Sequence, residues 1–207
     1  MKKITTLLSV LFIAVIVLAF NKGEEYKTIG IGEKAPMLDY EMKGTNEKNA
    51  TLKDIKKAHG TLVIFSCNTC PFVIAWEDRY PGLAKLSNDA EVGFALINSN
   101  EAKRSGADSM EEMIAHAKQK GYSDIPYLVD NNSSLANAFG AKTTPHVFLF
   151  DKDWKLVYEG AIDDNHKSAA DANAQYLNDA LKNLKQGKKI DPNNTKAIGC
   201  SIKRVKI

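Results

Sequence analysis

The chain has 207 residues and a formal net charge of +3, with 44% apolar, 26% charged and 8% aromatic residues. These values exclude a disordered, collagenous or polytopic membrane protein, and the length suits one domain with a substantial core. A charge this close to zero gives no reason to expect a nucleic-acid partner. Three cysteines are too few to frame a disulfide-stapled mini-protein.

The first 20 residues carry an export pattern. Lys2 and Lys3 precede an apolar run from Ile4 to Phe20 that only two threonines and a serine interrupt. This pattern predicts a cleaved secretory signal or a retained membrane anchor, and the run falls just short of the ~20 residues of a comfortable span. Either outcome exports the globular part to the periplasm or another extracytoplasmic space, where disulfides persist. The polar residues 21–28 are interpreted as a linker.

The remaining chain predicts a mixed α/β sheet. Short β-branched runs indicate buried strands, and amphipathic periods indicate helices. The predicted strands cover residues 61–66, 92–98, 126–129, 146–150 and 156–159, and the predicted helices cover residues 70–80, 109–120, 132–139 and 169–185. Pro81-Gly82 should end the first helix, and residues 151–155 should form a hairpin. This order favours parallel strands first and an antiparallel pair last.

The chemistry is predicted at Cys67-Asn-Thr-Cys70, where the first buried strand meets the first helix. A helix N-terminus offers unpaired N–H groups and a positive dipole end, which stabilise a thiolate. The thiolate is the nucleophile of thiol–disulfide exchange, so we expect Cys67 to have a lowered pKa and Cys70 an ordinary one. Cys70 lies one turn further on, within reach to close a disulfide.

A second motif, Thr143-Thr144-Pro145-His146, opens the strand 146–150 and predicts a cis peptide bond before Pro145. With this motif the chain resembles the thioredoxin-fold redoxins, close to TlpA/ResA-like oxidoreductases and the alkyl hydroperoxide reductase/thiol-specific antioxidant superfamily. It is most similar to a peroxiredoxin-like branch with CN-x-CP and a late Gly-Cys-x-Ile-Lys. The matching stretches lie within residues 29–185 and include 32–36, 50–54, 62–71, 127–130, 139–145 and 158–163.

The resemblance implies a thioredoxin fold: a mixed central sheet flanked by helices, with an N-terminal redoxin extension and an insertion around residues 99–140. It also implies that Cys67 attacks a substrate disulfide, that Cys70 resolves it, and that a substrate chain pairs beside Thr144 and Pro145 as an added strand. The sequence departs from many thioredoxins because Ser66 replaces a tryptophan and no acidic residue lies in the strand before Cys67. Glu77, two turns beyond Cys70, is a weak substitute for that acid.

Two alternative functions remain on this fold. A peroxidase would carry Pro-x₃-Thr-x₂-Cys, and neither Cys67 nor Cys70 fits that spacing, so we expect little peroxide turnover. A copper chaperone would use two cysteines and a histidine, for which His146 is the candidate, but copper-delivering relatives space their cysteines by three residues. A structural zinc site needs four ligands, and no second CxxC is present. We therefore expect no metal.

The C-terminal residues 188–207 form a basic tail that contains the odd cysteine, Cys200. Residues 181–207 hold eight Lys or Arg and one Asp, a charge that suits an acidic body. An extended chain from Gly187 to Cys200 spans roughly 40 Å, more than the ~30 Å width of such a domain, so the tail reaches the CxxC. Cys200 is therefore a candidate third redox cysteine, the alternative being a tail thiol with no redox part.

These patterns together predict an exported thiol–disulfide oxidoreductase with its domain at residues 29–187. The reaction would proceed through a mixed disulfide and would need no cofactor beyond the Cys67–Cys70 disulfide. Its partners would be protein disulfides or dithiols and a redox partner that resets the pair, with tethering to a membrane if residues 4–20 are retained. The direction of electron flow, the substrate and the oligomeric state do not follow from the sequence.

Overall fold

The computed structural model describes residues 26–205, so the export pattern at residues 1–20 lies outside the described residues. Seven strands form one mixed sheet in the order β2-β1-β5-β4-β3-β7-β8. These strands are β1 Met42–Gly44, β2 Asn49–Ala50, β3 Gly60–Ser66, β4 Val92–Asn98, β5 Tyr127–Val129, β7 His146–Asp151 and β8 Leu156–Gly160. A separate two-stranded ladder joins β6 Thr143–Thr144 to β9 Cys200–Ser201.

Six α-helices pack around the sheet: α1 Leu52–Ile55, α2 Pro71–Trp76, α3 Tyr80–Asp89, α4 Met110–Gln119, α5 Ser134–Phe139 and α6 Tyr176–Lys185. Short 3₁₀ turns at Glu77–Arg79, Glu101–Lys103 and Asn131–Ser133 connect or precede some of them. The elements agree with the predicted mixed α/β class. Within residues 26–205, none of these helices is long and apolar enough to cross a bilayer.

The central strand β3 is buried on both faces because helices cover both sides of the sheet. Leu62 and Ile64 point to a core shared with α2, α3, α4 and α6. Val63 and Phe65 point to the opposite core, which α1 and α5 cover. This alternation follows from the two-residue period of a strand, and double burial explains why the whole segment is apolar.

Strand directions agree with the predicted topology. β3 runs parallel to β4, and β4 runs parallel to β5, whereas β7 is antiparallel to both β3 and β8. Because parallel strands end at the same edge of a sheet, the residues that follow β3 and β4 lie close together there. The N-terminal extension adds β1 and β2 beyond β5 and supplies α1.

Two helix predictions were wrong. Pro81-Gly82 does not end a helix but lies in the first turn of α3, which follows α2 after the 3₁₀ turn. Proline is tolerated there because the first N–H groups of a helix have no partner within it. The last helix begins at Tyr176 and not at residue 169, because residues 163–175 form a loop in which the Asn165 side chain accepts from Lys167 and Ser168 N–H groups.

Candidate active site

The two cysteines of the CxxC motif occupy the junction between β3 and α2. Cys67 directly follows β3, and Cys70 is the N-cap residue of α2, with Pro71 at its first position. Both are free thiols with almost no solvent exposure, 1% for Cys67 and 5% for Cys70. The predicted placement of the motif at a strand–helix boundary is therefore confirmed.

Thr144 contacts both cysteines from the opposite side. Its Oγ1 lies 3.3 Å from Cys67 Sγ, and its carbonyl oxygen accepts from the Cys70 thiol at 3.1 Å. The Thr144–Pro145 peptide bond is cis. The predictions of a cis bond and of contact with Cys67 are both confirmed.

The two thiols share one negative charge, so the pKa of each depends on the other. The pKa of Cys70 is lowered to about 4, mainly by a hydrogen bond from the Cys67 thiol and further by the Cys200 thiol and the Val73 N–H group. The pKa of Cys67 is raised, because it shares that hydrogen bond with Cys70, is buried, and lies near the Asp108 carboxylate. Together the two thiols therefore provide one thiolate, and the lowered pKa expected at Cys67 stays a prediction.

A buried polar network fixes the loop between the two cysteines. The Asp108 carboxylate accepts from the Asn68 backbone N–H at 2.9 Å and from the side-chain amides of Asn98 and Asn100. Tyr127 donates from its hydroxyl to Asn68 Oδ1 at 3.0 Å. Asp108 is fully buried, so this network excludes water from behind the cysteines.

Sequence reasoning missed this network, because its members come from β4, β5 and the segment before α4. The available signal was the polar run Asn98-Ser-Asn100 directly after a buried strand. Glu77, by contrast, does not serve the cysteines. Its carboxylate is bound by His116 and Lys120, each at 2.6 Å.

The tail brings the third cysteine to the same place. Cys200 pairs with Thr144 in the β6–β9 ladder, and its side chain packs against the cluster of Cys67, Cys70 and Val73. All three cysteines line one cavity of about 190 Å³, together with Lys103 and Lys203. The structure thus brings together every site residue that the sequence singled out, including Cys200 from a distant part of the chain.

His146 is not free to bind a metal. Its Nε2 hydrogen-bonds the Glu159 carboxylate, and its Nδ1 accepts from the Lys142 backbone N–H at 3.3 Å. Within residues 26–205, no group of three or more His, Cys, Asp or Glu side chains is arranged to hold a metal ion. The copper alternative thus loses the imidazole on which it depends.

The comparison with known proteins identifies the family. The sequence profile of the Redoxin family matches residues 31–176. The chain belongs to the Redoxin family. This redoxin is accordingly an oxidoreductase with a thiol redox function and a thioredoxin-like fold, as the resemblance implied. The narrower assignment to a CN-x-CP branch stays a prediction.

Solved structures of similar proteins cover most of this redoxin. An uncharacterized conserved protein of Geobacillus kaustophilus is 32% identical with a TM-score of 0.80, over 87% of this chain and 95% of its own. A hypothetical protein of Sinorhizobium meliloti 1021 is 30% identical with a TM-score of 0.78, over 86% of this chain and 97% of its own. A putative protein disulfide isomerase of Bacteroides thetaiotaomicron shares the fold at 18% identity and a TM-score of 0.58, over 76% of this chain and 91% of its own. No curated protein matches the chain.

Proposed function

We propose that this redoxin is an exported thiol–disulfide oxidoreductase that exchanges disulfides with protein substrates through Cys67 and Cys70. The observation that carries the proposal is the pair of adjacent thiols at a helix N-terminus, one of which has a pKa of about 4. A thiol with such a pKa is a thiolate at neutral pH, and the thiolate is the species that attacks a disulfide.

The family resemblance gives the order of attack. The Cys67 thiolate attacks one sulfur of a substrate disulfide and forms a mixed disulfide, while the other substrate sulfur leaves as a thiolate. Cys70, whose thiol donates to the Thr144 carbonyl oxygen in the resting site, then loses its proton to that leaving sulfur and attacks Cys67. This step releases the reduced substrate and closes the Cys67–Cys70 disulfide. Two electrons pass from the cysteine pair to the substrate, and the reverse sequence oxidises a dithiol.

Substrate binding at Thr144 and Pro145 remains part of the proposal, with one added condition. The edge of β6 that a substrate chain would pair with is occupied by β9 of the same chain. A protein substrate therefore reaches the cysteine pair only after Cys200–Ser201 moves off that edge. A partner that resets the pair must meet the same condition.

Exchange with insulin tests the proposed activity. The full-length protein, with dithiothreitol as the electron source, should reduce insulin faster than dithiothreitol alone. Cys70→Ser should abolish that acceleration and Cys67→Ser should lower it, because each removes one sulfur of the pair. Asp39→Ala is the matched control, since its carboxylate is 77% exposed and lies outside the cavity. Equal acceleration by Cys70→Ser and the unmodified protein would disprove the assignment.

Peroxide turnover distinguishes this proposal from the peroxidase alternative. We expect hydrogen peroxide to react with the reduced protein at a rate close to that of a simple thiolate, because no Pro-x₃-Thr-x₂-Cys frame is present. Stopped-flow measurement of disulfide formation against peroxide concentration gives this rate. A rate far above that of a small-molecule thiolate, abolished in Cys67→Ser, would favour the peroxidase.

Export is proposed from the sequence pattern of residues 1–20 alone. Cell fractionation followed by mass measurement of the intact protein tests it. A mature chain without this segment in an extracytoplasmic fraction would indicate a cleaved signal, and a full-length chain in the membrane fraction would indicate an anchor. Full-length protein in the cytoplasmic fraction would contradict export.

A further inference from the structure

The C-terminal segment occupies the strand edge beside the cysteines. Thr143 pairs with Ser201 and Thr144 pairs with Cys200 in an antiparallel ladder, which the Ile202 N–H extends by donating to the Lys142 carbonyl at 3.1 Å. This is the edge at which an added strand would bind in the proposed reaction. The chain therefore places its own cysteine where a substrate would present one.

Specific contacts hold this segment on both sides of β9. Ile202 is 5% exposed and packs into the core beneath α5, and Arg204 donates to the Asn137 side chain and the Ala141 carbonyl at 2.7 Å each. On the other side, the Thr195 hydroxyl accepts from the Ala161 N–H at 3.0 Å and hydrogen-bonds the Tyr158 hydroxyl at 2.8 Å. Residues 195–204 are thus part of the folded body.

Cys200 is the outermost of the three sulfurs. Cys67 and Cys70 are buried, whereas Cys200 is partly exposed and packs against the cluster that contains both of them. Lys103 and Lys203 line the same cavity. The positive charge of Lys203 lowers the pKa of Cys200 and so favours its thiolate.

We propose that Cys200 is a third redox cysteine that exchanges with Cys70, and this rests on the proposed function of the Cys67–Cys70 pair. In the oxidised protein, the Cys200 thiolate attacks Cys70 Sγ, the Cys67–Cys70 bond breaks, and Cys67 leaves as a thiolate that takes the proton lost by Cys200. One disulfide breaks and one forms, so the step needs no further oxidant. The disulfide moves from two buried sulfurs to one buried and one partly exposed sulfur, where a partner thiol reaches it.

Oxidation of the pair favours this step. In the reduced protein, burial and the nearby Cys70 thiolate raise the pKa of Cys200. Once Cys70 is in a disulfide it carries no charge and no longer raises the pKa of Cys200. The Lys203 ammonium still lowers that pKa. The nucleophile is therefore activated when its target disulfide exists.

Disulfide mapping tests the exchange. The unmodified protein, Cys67→Ser and Cys200→Ser are equilibrated in a glutathione buffer, quenched with acid, alkylated and digested for mass spectrometry. We expect both Cys67–Cys70 and Cys70–Cys200 peptides from the unmodified protein, only Cys70–Cys200 from Cys67→Ser, and only Cys67–Cys70 from Cys200→Ser. The unmodified protein supplies the result even if one variant fails to fold.

Two failures give different patterns. A Cys67–Cys70 disulfide as the single product in the unmodified protein, with glutathione on Cys70 in Cys67→Ser, would overturn the role of Cys200 and leave the proposed function intact. Absence of a Cys67–Cys70 peptide from both the unmodified protein and Cys200→Ser would overturn the proposed function itself.

Discussion

Cys67 and Cys70 have the same side chain and unlike surroundings, and those surroundings decide their chemistry. Cys70 accepts hydrogen bonds from the Cys67 thiol, the Cys200 thiol and the Val73 N–H, so its charged form is stabilised despite burial. Cys67 donates to Cys70 and lies near the Asp108 carboxylate, so its neutral form is stabilised. The pair thus holds one proton between two sulfurs, and the Thr144 carbonyl oxygen accepts it when it lies on Cys70.

The first prediction concerns this shared proton. Cys67→Ala removes the hydrogen bond that lowers the pKa of Cys70 most, so that pKa should rise from about 4 towards its ordinary value of 9.0. Thiolate absorbance of the reduced protein, followed against pH, should decline as the pH falls through about 4 in the unmodified protein and at a clearly higher pH in the variant. The Cys70→Ala variant is the control. A low-pH transition that persists in Cys70→Ala would assign the thiolate to Cys67.

Asp130 shows how one buried side chain supports the loop that leads into α5. Its carboxylate accepts from the backbone N–H groups of Leu135 and Ala136 and from the Ser99 hydroxyl at 2.7 Å. The side chain is fully buried, and burial raises its pKa. Removing the acceptor would leave buried donors without partners, which is costly.

We therefore expect Asp130→Ala to lower the free energy of unfolding by about 3 kcal/mol, and Asp130→Asn to lower it less because one oxygen remains. Urea denaturation followed by circular dichroism measures both values. Asp39→Ala, at an exposed carboxylate, should change stability by less than about 0.5 kcal/mol. Equal stability of Asp130→Ala and Asp39→Ala would contradict this role.

At the scale of elements, the approach of β9 to β6 depends on a residue without a side chain. A Cβ atom at Gly199 would lie 2.2 Å from the Thr144 carbonyl oxygen and 2.7 Å from its carbon. Backbone atoms cannot move aside as a flexible side chain does. Gly199 is therefore required for the close contact that seats Cys200.

Gly199→Ala should detach β9 and expose Cys70, so alkylation of the reduced protein at Cys70 should become faster. Site-resolved alkylation rates from mass spectrometry give the comparison. Gly82→Ala is the matched control, because a Cβ at Gly82 in α3 meets no atom within 4 Å. Unchanged Cys70 alkylation in Gly199→Ala would mean that the tail does not cover the thiol.

At the scale of the whole molecule, four distant parts of the chain converge on one edge of the sheet. The CxxC follows β3, the Asp108 network follows β4, Thr144 and Pro145 precede β7, and Cys200 arrives with the tail. Parallel strands β3 and β4 end side by side, which brings the first two parts together. The result is a site that is almost closed to solvent in the reduced protein.

The prediction at the scale of the whole molecule concerns the reduction potential of the Cys67–Cys70 disulfide. A thiolate with a pKa of about 4 stabilises the reduced protein at pH 7 more than a pKa near 7 does in thioredoxin. With other contributions equal, the reduction potential should lie above the thioredoxin value of about −270 mV. Equilibration with glutathione buffers measures it, and Cys200→Ser, in which Cys67 and Cys70 are the remaining cysteines, is the control. A value at or below that of thioredoxin would contradict the acidity of Cys70.

Local patterns predicted much of this protein. The apolar runs of β3 and β7, the capping of α4 by Ser109, and the hairpin between β7 and β8 all depend on neighbours in sequence. The same holds for the CxxC at a strand–helix junction and for the Thr-Thr-Pro turn. Each of these features needs only a few adjacent residues to specify it.

Helix boundaries were less well determined. Pro81 is compatible with either the end of one helix or the first turn of the next, and packing of Tyr80 and Leu83 into the core selects the second. The short strands β1 and β2 have no strong pattern of their own, because pairing with β5 fixes the place of β1, and β2 pairs with β1. In both cases the deciding contact is with a residue far along the chain.

The sequence by itself determined the fold class, the resemblance to the redoxins and the identity of the three cysteines at the site. Only the tertiary structure decided that the two thiols are buried and share one charge, that Asp108 lies behind the site, and that β9 seats Cys200 against Cys70. The physical reason is that acidity and access depend on distance and burial. Both are set by contacts between residues 67–70, 108, 144 and 200, which no local pattern relates to one another.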